Sequence, residues 1–183
     1  MKKLILLLTS GVLAVTLAAA VVPDGMGAYP LSFTYDGQAF SAQTWPSTVA
    51  RTGPFETETR YTSPDGKLRL TVSVKTWPDF PITEVRPVLE CISSEETGII
   101  DDFRSLDFSR KYGSRSIKVR RITGSESMYT DFCRHDVLLQ KRAECDALSM
   151  TSGNGRSTYW LPYIGIDFDA THGMEIAIGW NGS

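Results

Sequence analysis

The stretch FETETRYTSPDGKLRLTVSVKTW, residues 55–77, decides the fold. In its second arm Leu68, Leu70, Val72 and Val74 alternate with Lys67, Arg69, Thr71, Ser73 and Lys75. A period of two puts one set on each face of a strand, so this arm is half-buried and antiparallel. Ser63-Pro64-Asp65-Gly66 separates it from a first arm running from Phe55 to Tyr61. Proline fixes φ in such a turn, and glycine accepts the positive φ that closes it.

The same signals recur along the chain. Residues 29–40 read as strand, Asp-Gly turn, strand. Pro78, Pro81 and Pro87 punctuate the next apolar stretch, and a proline inside a strand marks an edge or a bulge. Residues 98–112 are bracketed by glycines and read as strand, although one helical turn set also fits. Ile117, Val119 and, less cleanly, Ile122 alternate within residues 114–124. Residues 127–150 contain good helix formers and stay open between helix and strand. Residues 157–180 read as strand, turn, strand. Met174, Ile176, Ile178 and Trp180 form one face of the last arm, and Asn181-Gly182 is a two-residue hairpin signal. Short strands separated by Gly, Pro and Asp turns predict an all-β, antiparallel β-sandwich.

Bulk properties narrow the function. The 183 residues carry a net charge of −2 and 42% hydrophobic content, an ordinary globular composition that argues against disorder. That charge balance offers no basic stripe for nucleic acid. Lys118-Val-Arg120-Arg121 is short and reads as a solvated strand face rather than an anion site.

Met1-Lys2-Lys3, an apolar run from Leu4 and Ala18-Ala19-Ala20 form a bacterial-style signal peptide over residues 1–20. Residues 21–28 follow as a linker and 29–183 as the sandwich domain. Export to a secreted or periplasmic location is expected, with no stable membrane anchor after cleavage. That compartment permits disulfides. Cys133 and Cys145 are close enough in sequence to pair, and Cys91 reads as a buried thiol.

Catalytic signatures are sparse. His135 and His172 lie in no nucleophile motif, and no phosphate loop or metalloprotease helix is present. Cys133, His135 and Cys145 match no standard zinc spacing. Asp167 and Asp169 share a strand face and suit either calcium or a polar strand end. No metal site, cofactor or catalytic residue is therefore assigned. Aromatic residues are the better lead, since a ring face complements the C–H face of a sugar. Trp45, Trp77 and Trp160 are the carbohydrate-contact candidates; Trp180 reads as core.

Several of these segments resemble, in order, the N-terminal supersandwich-like domain of melibiase-type glycoside hydrolases. Leu31 to Gly37, LSFTYDG, is similar to the family's FSFxYGG opening, and Trp45-Pro46 to its TW segment. Tyr61 to Leu70 resembles YTDPxTGLxV. Asp79 to Glu84 resembles DFPVVEW, with Val85 where the family favours Trp. Ser94 to Asp107 is similar to NTGxxDTPILEDIQALD. Gly155-Arg156-Ser157, Leu161-Pro162-Tyr163 and Ile176 to Gly182 resemble GRSS, LPFFN and VAIGWTGQW. The resemblance implies a non-catalytic sandwich that packs against a catalytic barrel, itself bearing the aspartates of a retaining α-galactosidase. Nothing in this sequence matches that barrel, and the resemblance implies truncation at the final turn. The expected partners are then a galactoside or related glycan and the barrel. The other reading is a stand-alone secreted carbohydrate-binding module.

Overall fold

A computed structural model describes residues 31–107, 116–125, 127–140 and 159–179. The leader, the linker, Cys145, Trp180 and the Asn181-Gly182 turn lie outside the described residues. So do residues 141–150, part of the stretch open between helix and strand. No helix occurs among the described residues, and every strand pairing is antiparallel. The protein is all-β, as the alternation requires. It divides into two compact units, residues 1–110 and 111–183.

In the first unit, β1 (Ser32–Tyr35), β2 (Gln38–Ala39) and β7 (Ile100–Arg104) form a sheet in the order β2-β1-β7. Asp36 and Gly37 both take positive φ, 50° and 73°. This mirror-image turn matches strand twist and joins β1 directly to β2. A second sheet contains β3 (Ser47–Gly53), β4 (Glu56–Thr62), β5 (Leu68–Trp77) and β6 (Ile82–Cys91), hydrogen-bonded in that order. The decisive hairpin is thus β4 and β5, with Gly66 at φ 73° in its turn. Pro46 and Pro54 flank one outer strand of this sheet, and Pro87 lies within the other.

The apolar faces of the two sheets supply one core. Leu68, Leu70, Val72 and Val74 are all buried, Leu70 and Val72 completely. Across from them sit Leu31, Phe33 and Tyr35, with Trp45 and Tyr61 in the same cluster. Trp45 meets its ring neighbours edge-on, a geometry aromatic quadrupoles favour. Trp45 lies 5.7 Å from Phe33, 5.8 Å from Tyr35 and 5.1 Å from Phe40, centroid to centroid.

Cys91 departs from expectation. It is exposed rather than buried, because it is the last residue of outer strand β6 and no strand among the described residues pairs with its far side. Cys133 is also an exposed thiol; its expected pairing with Cys145 involves a residue outside those described.

Polar contacts tie the loop before β7 to this core. The Ile99 N–H donates to Asp36 Oδ1 at 2.8 Å. A Cβ on Gly98 would stand 2.2 Å from Asp36 Oδ2 and 2.5 Å from its Cγ. Gly98→Ala therefore has to displace the Asp36 carboxylate from its Ile99 contact. We expect a loss of about 1–3 kcal/mol, read as a lower urea midpoint at unchanged slope.

The second unit contains one four-stranded sheet in the order β11-β10-β8-β9. Its strands are β8 (Ser116–Thr123), β9 (Arg134–Gln140), β10 (Trp160–Asp167) and β11 (Gly173–Ala177). One face carries Ile117, Val119, Val137, Ile164, Ile166, Met174 and Ile176, as the pairings show. The other is charged. Lys118 and Arg120 both reach Asp167, at 3.3 and 3.0 Å, and Arg120 also reaches Glu175 at 3.3 Å. The turn after β10 is closed by Asp169. Its carboxylate accepts from the Thr171 and His172 N–H groups, each at 2.8 Å. The Thr171 bonds, then His172, hold the Asp169 carboxyl well below the usual carboxylate range. Asp167 and Asp169 therefore have separate partners, and the described residues contain no group of three or more potential metal ligands.

Candidate functional site

The three tryptophans singled out from the sequence occupy different settings. Trp45 is 6% exposed and packed among the core rings, which leaves no ring face for a ligand. A lone aromatic residue outside any alternating run carries no sign of its orientation. Trp77 is half-buried at the end of β5. Trp160 is half-buried at the start of β10, in the second unit.

Trp77 borders a concave site. Alternation along β5 places Ser73, Lys75 and Trp77 on the face opposite the core. Register then brings in the neighbours: Lys75 stands between Glu56 on β4 and Glu84 on β6, and Ser73 between Glu58 and Arg86. Glu56, Ser73, Lys75, Glu84 and Arg86 line a shallow groove open to solvent. The Lys75 ammonium lies 4.8 Å from the centroid of the Trp77 ring. Beyond Trp77, this end of the sheet exposes Phe55 and Phe80 in turns and Ile82 at the start of β6. A polar floor is thus continuous with an apolar, ring-bearing end.

The groove mixes carboxylates, which accept hydrogen bonds, with ammonium and guanidinium groups, which donate them, and a hydroxyl that does both. Its formal charges balance, with two acidic and two basic side chains. This suits a neutral polyol, whose hydroxyls are donors and acceptors at once. Glycosidase chemistry makes a different demand, a proton donor held in a desolvating pocket. Glu84 is exposed, Glu56 is half-buried, and a cation stands between them.

Sequence reasoning had placed Ser73 and Lys75 on the outer face but not their neighbours. Glu56, Glu84 and Arg86 join the site only through cross-strand register, which the composition of one strand does not reveal.

Trp160 has another environment. The Arg121 guanidinium lies over its ring, Cζ 3.8 Å from the centroid. The His135 ring meets it edge-on at 5.5 Å. Arg121 is paired with His135 and with Ile164, so it stands on the Val119 face. The expectation that the whole Lys118–Arg121 run is a solvated face therefore holds for Lys118 and Arg120 only.

No protein-family model, no curated protein and no solved structure matches this chain.

Proposed function

We propose that this chain is a non-catalytic, glycan-contacting β module of an exported glycoside hydrolase of the melibiase type. The observation that carries the reading is the groove of Glu56, Ser73, Lys75, Glu84 and Arg86 beside the Trp77 ring. The collinear motifs from Leu31 to Gly182 support the hydrolase connection, and the apolar leader supports export. In this reading a neutral galactoside lies along the outer sheet face and its C–H face stacks on Trp77. Lys75 swings off the ring to hydrogen-bond a hydroxyl. An exposed cation–π contact is worth only about 0.5–1 kcal/mol, so that exchange is not prohibitive. A catalytic barrel would then be the second partner.

Titration calorimetry with neutral galacto-oligosaccharides tests the reading. Saturable binding is expected, weakened roughly tenfold or more by Trp77→Ala, a change of about 1.4 kcal/mol. Affinity unaltered by that substitution, or no binding by any neutral galactoside, counts against it. So does enzyme-like galactoside turnover by this chain alone.

A further inference from the structure

Arg121 is unusual among the basic residues of its sheet. Lys118, Arg120 and Arg134 each have a carboxylate partner. Arg121 has none among the described residues, and its Nε is buried without a hydrogen-bond partner. Its place on the apolar face follows from strand parity with Ile117 and Val119. The guanidinium lies over the Trp160 ring, with Cζ 3.8 Å from the centroid. A guanidinium is planar and carries its N–H groups around its own plane, the fork that receives two oxygens of one anion. The exposed His135 ring stands opposite on β9 and also touches Trp160. It adds a further nitrogen on the same face.

We propose that Arg121, Trp160 and His135 form a receptor for a single oxyanion, the carboxylate or sulfate group of an acidic sugar. The guanidinium takes two oxygens of the anion. The part of the indole that Arg121 leaves uncovered packs against the attached sugar ring. This site lies in the second unit and does not depend on the groove beside Trp77, which suits a neutral ligand. It stands or falls separately from the galactoside reading.

The test uses the full mature chain labelled with 15N, in a chloride buffer. Three probes are titrated: oligogalacturonate, sodium sulfate and a neutral galacto-oligosaccharide. The readouts are the Arg121 Nε–H and Trp160 indole N–H resonances. Each is assigned by its loss in Arg121→Gln and Trp160→Phe respectively. We expect saturable shifts of both signals with oligogalacturonate. Affinity falls at least tenfold in Arg121→Gln and by a smaller factor in Arg121→Lys, which keeps the charge but loses the planar fork. Arg121→Lys also serves as the folded control if the glutamine variant is unstable. Binding of sulfate as well as oligogalacturonate supports a receptor for the oxyanion group itself; binding of oligogalacturonate alone supports a sugar-borne carboxylate. The proposal is overturned by a lack of saturable shifts with either anion. It is equally overturned by anion binding that survives both Arg121 substitutions unchanged, or by a neutral sugar that shifts both signals as strongly as the uronate.

Discussion

Leu70→Ala should destabilise the protein by about 2–5 kcal/mol, the largest effect expected of any substitution discussed. Leu70 is completely buried and stands at the middle of the four-stranded sheet, between Tyr61 on β4 and Leu89 on β6. Truncation removes the transfer free energy of three carbons and leaves a void that ring-packed neighbours fill poorly. Val88→Ala is the matched control. Val88 is on the adjacent strand but on the opposite face, 47% exposed, and its truncation should stay within about 0.5 kcal/mol. Urea unfolding followed by tryptophan fluorescence compares the two. Equal midpoints would mean that the hairpin's apolar face is not the core.

The second large effect belongs to Tyr35. Its hydroxyl donates to Asp65 Oδ2 at 2.7 Å and accepts from the Gly98 N–H at 2.9 Å. Asp65 also accepts from the Ser63 hydroxyl and from the Lys67 N–H, and Ser63 Oγ accepts from the Leu68 N–H. One phenol thereby links β1, the β4–β5 turn and the segment leading to β7. Tyr35→Phe keeps the ring and removes both bonds, at a cost of about 1–3 kcal/mol.

The pH dependence of that cost has a definite sign. The Ser63 and Tyr35 hydrogen bonds hold the Asp65 carboxyl below its ordinary value. A depressed carboxyl contributes stability fully above its unfolded pKa, about 3.9, and loses it as pH falls through the lower folded value. The gap between wild type and Tyr35→Phe should therefore be constant at neutral pH and narrow below about pH 4. At the alkaline end, burial above all raises the Tyr35 pKa. The hydroxyl's contribution is present below about pH 10 and is lost as pH rises through the raised value. Urea midpoints across pH give the comparison. A gap that widens in acid would be inconsistent with Asp65 as the charged acceptor.

Much of this architecture is legible in the sequence because alternation is a local property. The buried face of β5, the Asp36-Gly37 turn and the outer position of proline-bearing β6 all follow from short windows. The basic run at 118–121 was equally legible in principle: strict alternation already puts Arg121 with Val119. What alternation does not encode is which strand pairs with which. Glu56 and Glu84 are 28 positions apart and meet on either side of Lys75 only because β4, β5 and β6 are adjacent. Trp45 shows a different limit. It lies outside any strand, and its burial is decided by Phe33, Tyr35 and Phe40 closing around it.

The prolines at the margins of the larger sheet have a consequence for concentrated solutions. Any free strand edge can template fibril growth by zipping onto another molecule. β3 offers only seven residues before Pro46 or Pro54 interrupts the register, and β6 lacks an amide hydrogen at Pro87. Stacking of copies into cross-β aggregates is disfavoured on both flanks, so this half of the protein can expose a broad polar face and remain dispersed.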